Sequence, residues 1–112
     1  QKILATIVKE FEKGNYFTES LASLENLAKK IGESKHHVSQ VINEKLGKNF
    51  FELLASYRIE KAKSIIKEDR AGRLTIEEVS EMVGYNSKTA FNNSFRKLTG
   101  KTPSEFRKSV NS

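Results

Sequence analysis

Apolar residues along this chain recur three and four positions apart rather than alternating, a pattern that predicts helices and no strands. From the N-terminus, Ile3, Leu4, Ile7, Val8 and Phe11 line one face of a first helix that Gly14 can close in a left-handed conformation. Asn15 to Ala22 mixes Tyr16 and Phe17 with Thr and Ser and reads as a partly packed connection. Ser23 caps a short helix that turns Leu24, Leu27, Ala28 and Ile31 inward, and Gly32 with Glu33 makes a tight turn. Ser34 then caps a third helix, which runs to about Leu46 and stops at Gly47. The next stretch, Asn49 to about Glu68, is the longest. Phe51, Leu54, Ala55, Ile59, Ala62, Ile65 and Ile66 form its apolar stripe, and Leu53 and Tyr57 widen the arc beyond what one supporting surface needs. That width marks a linker helix with two neighbours, and Asn49 and Glu52 have the spacing of a capping box at its start. Arg58 lies inside the stripe, where a charge must be paired, and is expected to tie the two lobes through carbonyls or a carboxylate rather than to reach a ligand.

After a polar link from Asp69 to Leu74 the same outline returns. Thr75 with Glu78 makes a capping box, Ile76, Val79 and Val83 form an inner face, and Gly84 marks a turn. Ser87 caps the next helix, carried by Ala90, Phe91, Phe95 and Leu98 before Gly100. A shift of 52 carries Gly32 onto Gly84, and a shift of 53 carries Val38, Ile42 and Gly47 onto Phe91, Phe95 and Gly100, so the second turn is one residue longer. Thr102, Pro103 and Glu105 start a last helix with a cap, a proline in the first turn and a capping-box acid. Two short helices around a brief Gly-containing turn are the outline of a helix-turn-helix. The expected fold is therefore all-α with seven helices: an N-terminal helix-turn-helix subdomain over 1–48, a linker helix over 49–68 and a C-terminal helix-turn-helix subdomain over 69–112.

Composition narrows the partners. The chain of 112 residues suits one small domain or two very small lobes, with no room for a large buried cavity. Its net charge of +6 is uneven: residues 1–56 carry eight Lys against seven acids, and residues 57–112 carry twelve Lys and Arg against seven acids. That excess favours a polyanionic partner without establishing one. The absence of cysteine suits a reducing compartment, and no apolar run approaches a membrane span, so no membrane contact is expected of this fragment. The chain begins at Gln1 and its only methionine is Met82, from which a fragment of something longer is expected. No catalytic residue, cofactor or metal site is expected. His36 and His37 are adjacent and point to different parts of a helix, and neither metal-ligand spacing, a phosphate loop nor a nucleophile with a partnered base is present.

The chain resembles the DNA-binding domain of the AraC/XylS transcription regulators over about Ser23 to Arg107. The resemblance is strongest in Val79-Ser80 through Gly84-Tyr85, Phe91, Phe95, Gly100, Thr102-Pro103 and Phe106-Arg107. The first half carries it in Leu27-Ala28, Gly32, Ser34, Val38, Leu46-Gly47 and Phe50, and the linker in Arg58, Ile59 and Ala62. Ser80 stands where the family usually has Ala, Ala90 where an aromatic is common, and Val41 and Ile42 where Leu and Phe are usual. The resemblance implies sequence-specific transcription regulation, commonly activation, in the bacterial cytoplasm at the nucleoid. It also implies a sensor or oligomerisation domain upstream of Gln1, whose membrane anchoring stays open, and contact with RNA polymerase through the full-length protein.

A helical wheel supplies candidate contacts. With Val38 inward, Val41, Ile42 and the stem of Lys45 share its side, while His36, Ser39, Gln40 and Asn43 lie opposite with Lys35 at the edge. On the second such helix Phe91 and Phe95 point inward and Lys88, Thr89, Asn92, Asn93 and Arg96 outward. These are side chains that match base edges in the major groove, Asn or Gln with adenine and Arg with guanine. Lys48 and Asn49 before the linker and Lys101 and Thr102 before the last helix are the candidate phosphate contacts. Lys29, Lys30, Lys61, Lys63 and Lys67 read as solubilising charges. The same outward faces would equally suit an ordinary solvated helix, or a protein-interaction or RNA-binding module. For two recognition helices in successive major grooves of double-stranded DNA, a linker of roughly 19 residues spans only about 28 Å against a groove spacing of about 34 to 36 Å. A modest bend, or looser engagement by one lobe, is therefore expected, with the first lobe making the firmer base contacts.

Overall fold

A computed structural model describes residues 2–13, 16–19 and 21–111. Among the described residues it holds seven α-helices and one 3₁₀ turn and no strand: α1 (Lys2–Lys13), the turn Tyr16–Thr18, α2 (Leu24–Ile31), α3 (Lys35–Leu46), α4 (Phe50–Glu68), α5 (Ile76–Met82), α6 (Lys88–Thr99) and α7 (Pro103–Asn111). The all-α reading holds. Gly14, with its proposed left-handed cap, and Asn15 lie outside the described residues. No helix among the described residues is long and apolar enough to cross a membrane. The chain divides into two compact units, Gln1–Leu54 and Ala55–Ser112, with the dividing line inside α4.

In the first unit Ile7 and Phe11 of α1, Leu27 and Ala28 of α2, and Val38, Val41 and Ile42 of α3 are buried. Tyr16, expected only to be partly packed, is fully enclosed with its ring 5.3 Å from Phe11, edge to face. A buried phenol needs a polar partner. Its hydroxyl lies 2.6 Å from Ser23 O and 2.7 Å from Asn26 Oδ1. Asn26 also completes a capping box with Ser23, each backbone N–H donating to the other's side chain at 3.1 Å.

The linker stripe differs from expectation at its start. Phe51, placed inward by pattern, is 75% exposed, and Phe50 is buried instead, with its ring 6.4 Å from Phe11. Successive helical residues lie about 100° apart, so only one of two adjacent phenylalanines can face a given neighbour. The cap is as read: Asn49 N–H donates to Glu52 Oε1 at 2.9 Å and Glu52 N–H to Asn49 Oδ1 at 2.8 Å.

In the second unit Ile59, Ala62 and Ile66 of α4 pack with Val79, Val83, Phe91, Phe95 and Phe106. Tyr85, Phe91, Phe95 and Phe106 form a run of tilted and edge-to-face rings with centroids 5.4 to 5.7 Å apart. Arg58 is buried, and its guanidinium sits 5.0 Å from the centre of the Tyr85 ring, a neighbour the pattern did not suggest. Ala90 is exposed and Leu98 half exposed, against the inward reading, because Phe91 and Phe95 already occupy the buried line of α6. The link between α4 and α5 is held by Asp69, which accepts from the N–H groups of Arg73 (3.1 Å) and Leu74 (2.9 Å). From α7, Arg107 reaches the same loop, donating to Leu74 O at 2.6 Å and approaching Asp69 Oδ2 at 3.6 Å.

Candidate nucleic-acid interface

The local chemistry of each turn decides which face of the following helix is free. In the first unit Gly32 takes φ 72°, a left-handed conformation that costs other residues a Cβ clash, and reverses the chain after α2. Ser34 then caps α3 by accepting from His37 N–H at 3.1 Å. In the second unit the left-handed residue is Gly84 at φ 93°, and Ser87 caps α6 by accepting from Ala90 N–H at 3.0 Å. One residue separates glycine from cap in the first unit and two in the second, as the shift from 52 to 53 requires.

With Val38, Val41 and Ile42 buried, α3 exposes Lys35, His36, Gln40 and Asn43 and leaves Ser39 half-buried. With Phe91 and Phe95 buried, α6 exposes Lys88, Thr89, Asn93 and Arg96. Asn92 is half-buried, its Oδ1 enclosed without a hydrogen-bond partner among the described residues. Each unit thus gathers its own candidate base contacts on the polar side of one helix. The two sets correspond at one offset: Lys35 with Lys88, His36 with Thr89, Ser39 with Asn92, Gln40 with Asn93 and Asn43 with Arg96 are each 53 apart.

The candidate phosphate contacts obey the same offset, Lys48 with Lys101 and Asn49 with Thr102. Both lysines and Asn49 are exposed and Thr102 is half-buried. Thr102 repeats the box of Asn49: its N–H donates to Glu105 Oε1 at 2.8 Å, and Glu105 N–H to its Oγ1 at 3.1 Å. The backbone N–H of Thr102, then its side chain, holds the Glu105 carboxyl below its usual value, so that helix start already carries an anion. An anion approaching either helix start would meet the exposed Lys48 or Lys101 more readily than the capped helix end itself.

The polar faces are partly organised before any partner arrives. On α3, Gln40 Nε2 donates to Glu44 Oε1 at 3.2 Å, and Asn43 Nδ2 donates to Ser39 O at 2.9 Å. His37 turns away from His36 and pairs with Glu33 of the turn, Nδ1 to Oε1, at 3.3 Å. Pattern reading missed Glu44, although its spacing of four from Gln40 is a signal for a helix-surface pair. Its counterpart 53 residues on is Lys97, also exposed. Among the described residues no group of three or more His, Cys, Asp and Glu is placed to hold a metal ion.

A family model described as a helix-turn-helix domain matches residues 27–109. Among curated proteins, the uncharacterised HTH-type transcriptional regulator YtdP of Bacillus subtilis is 29% identical across 80% of this chain and 11% of its own length. The Msm operon regulatory protein of Streptococcus mutans is 23% identical across 97% of this chain and 45% of its own. The chain thus spans less than half of either relative. Among solved structures, the C-terminal domain of AraT, a response regulator from Geobacillus stearothermophilus, superposes with a TM-score of 0.80 at 30% identity, covering 92% of this chain and 84% of that one. An AraC-type DNA-binding regulator from Chromobacterium violaceum has the same fold, with a TM-score of 0.82 at 18% identity over 98% of this chain and 93% of that one.

Proposed function

The chain belongs to the AraC-type helix-turn-helix family, whose members are DNA-binding transcription regulators, and from that premise we propose that it reads double-stranded DNA through α3 and α6, each in its own major groove, and serves chiefly in activation. The observation that carries this is the paired exposure of polar faces. Two helices in two units keep apolar side chains buried and expose base-matching side chains at four pairs of positions related by one offset, with a fifth pair, Ser39 and Asn92, half-buried.

In this reading Lys35, His36, Ser39, Gln40 and Asn43 contact one box, and Lys88, Thr89, Asn92, Asn93 and Arg96 a second, unlike box. Gln40 and Asn93 suit adenine and Arg96 suits guanine. Lys48, Asn49, Lys101 and Thr102 grip phosphates and set register without choosing sequence. The chain itself performs no catalysis; a sensor or oligomerisation domain in the full-length protein supplies the signal, and the full-length protein contacts RNA polymerase. The site of action is the bacterial nucleoid.

The test is selection of bound duplexes from a random pool, followed by footprinting of the selected site. Two protected segments about one helical turn apart are expected. Inserting five base pairs between the boxes turns one box to the wrong face, so affinity should fall to that of a single box and one segment should lose protection. Equal affinity for unrelated duplexes with no protected segment would instead favour a protein-interaction or RNA-binding module.

A further inference from the structure

Glu44 is exposed on α3 one turn from Gln40 and carries a negative charge, which would be unfavourable next to phosphates. Its carboxylate accepts a hydrogen bond from Gln40 Nε2 at 3.2 Å, one helical turn away, and both residues are exposed. A glutamine amide has two ends of nearly equal shape and opposite hydrogen-bonding sense, so an isolated Gln on a helix surface presents either end. An ionised carboxylate only accepts, whereas a hydroxyl or amide side chain at the same place could donate as well. Beside Glu44 the amide must therefore turn its nitrogen inward along the helix and its oxygen away.

We infer that Glu44 is a positioning residue for base readout: its acceptor-only carboxylate locks the Gln40 amide in one of its two flips, so that the helix presents an acceptor and one N–H in fixed order. That order is the complement of adenine, which offers N6–H as donor and N7 as acceptor. Guanine offers two acceptors at O6 and N7, and only the opposite flip, with nitrogen toward O6, would suit it. The lock thus favours A·T over G·C at one base pair, at the cost of a repulsive charge near the backbone. In the second unit Asn93 stands where Gln40 does and Lys97 where Glu44 does, and an ammonium, which only donates, would favour the opposite flip.

This inference rests on the reading of Gln40 as a base contact, and the test separates the two. Binding-site selection is run on the unaltered chain, Glu44→Gln, Gln40→Ala and the double variant, with thermal unfolding as a check that each is folded. Glu44→Gln keeps the size and helix position of the side chain but can donate as well as accept, so Gln40 is free to flip. Base preference at a single position should relax by about two- to fivefold, toward G·C, while affinity for random duplexes rises. In the Gln40→Ala background Glu44→Gln should leave the preference profile unaltered. If Gln40→Ala relaxes one position and Glu44→Gln does not, Gln40 reads a base and Glu44 does not position it. A further change on adding Glu44→Gln to Gln40→Ala would make Glu44 a reader in its own right and overturn the inference. A profile indifferent to Gln40→Ala would remove the base-readout reading, and the positioning role with it.

Discussion

The two recognition helices have the same frame and opposite temperaments. Both α3 and α6 follow a left-handed glycine, begin with a serine cap and run for 12 residues, and the helix after each opens with a reciprocal cap. Inside, α3 buries the aliphatic Val38, Val41 and Ile42, whereas α6 buries Phe91 and Phe95 in a run of edge-packed rings. Outside, α3 carries Lys35, Lys45 and Glu44, for a net charge of +1, and α6 carries Lys88, Arg96 and Lys97, for +3. The frame depends on backbone chemistry that two or three cap residues satisfy, so the interior and the outward face are free to diverge. On the proposed DNA-reading function, that charge difference lets the first unit discriminate and the second hold.

The sharpest way to break that comparison is through the interiors. Ile42 and Phe95 are equivalent and both fully buried. Ile42→Ala should cost about 2–5 kcal/mol and Phe95→Ala about 3–5 kcal/mol. Phe95 is expected to be the more damaging, since its ring contacts both Phe91 and Phe106. Denaturant unfolding of both variants measures this, and equal losses would mean that the aromatic run contributes nothing beyond bulk.

Next come the outward faces. Gln40→Ala and Asn93→Ala should each weaken specific binding by about 1–3 kcal/mol while leaving random DNA nearly untouched, with Gln40 the larger effect. Equal losses on specific and random duplexes, read by titration, would remove these residues from base readout. Smaller still are the phosphate contacts: Lys48→Ala or Lys101→Ala should weaken all duplexes alike and lower the slope of log affinity against log salt by roughly one. A slope unchanged within error would move the clamp elsewhere.

The smallest effect is acid sensitivity of the second unit. The N–H of Leu74 first, then that of Arg73 and the charge of Arg107, hold the Asp69 carboxyl below its usual 3.8, and the Thr102 contacts hold Glu105 below 4.5. A carboxyl depressed in the folded state stabilises above its unfolded value and loses that contribution as pH falls through the folded one. Stability of residues 55–112 should therefore decline below about pH 4, and Asp69→Asn should flatten part of that decline. Amide signals of the α4–α5 link followed by NMR against pH would check it.

Much of this was legible in the chain because it is local. Ser34, Ser87, Thr75 with Glu78 and Thr102 with Glu105 cap where spacing places them, since a capping bond needs only residues three apart. The inward line of each recognition helix followed from the same periodicity. What was not legible depends on distant partners. Phe50 and not Phe51 is buried because Phe11, some forty residues earlier, receives its ring. Tyr16 looked like a loop residue, and Ser23 and Asn26 make it a core one. Arg107 holds the Asp69 loop across more than thirty residues, a separation that pattern reading does not bridge. Gln40 with Glu44 was local and still overlooked, since an acid on a helix meant for DNA looks like an ordinary solvated charge.

The common offset of 53 has a use as an engineering coordinate. On the proposed function the exposed outward residues form a cassette that either unit's frame could display, with the half-buried Ser39 and Asn92 the one pair that also touches the interior. Writing the α6 set onto α3, as His36→Thr, Ser39→Asn, Gln40→Asn, Asn43→Arg and Glu44→Lys, alters no fully buried position. The product would be a chain with the same address printed twice, and its preferred site would change from two unlike boxes to a direct repeat.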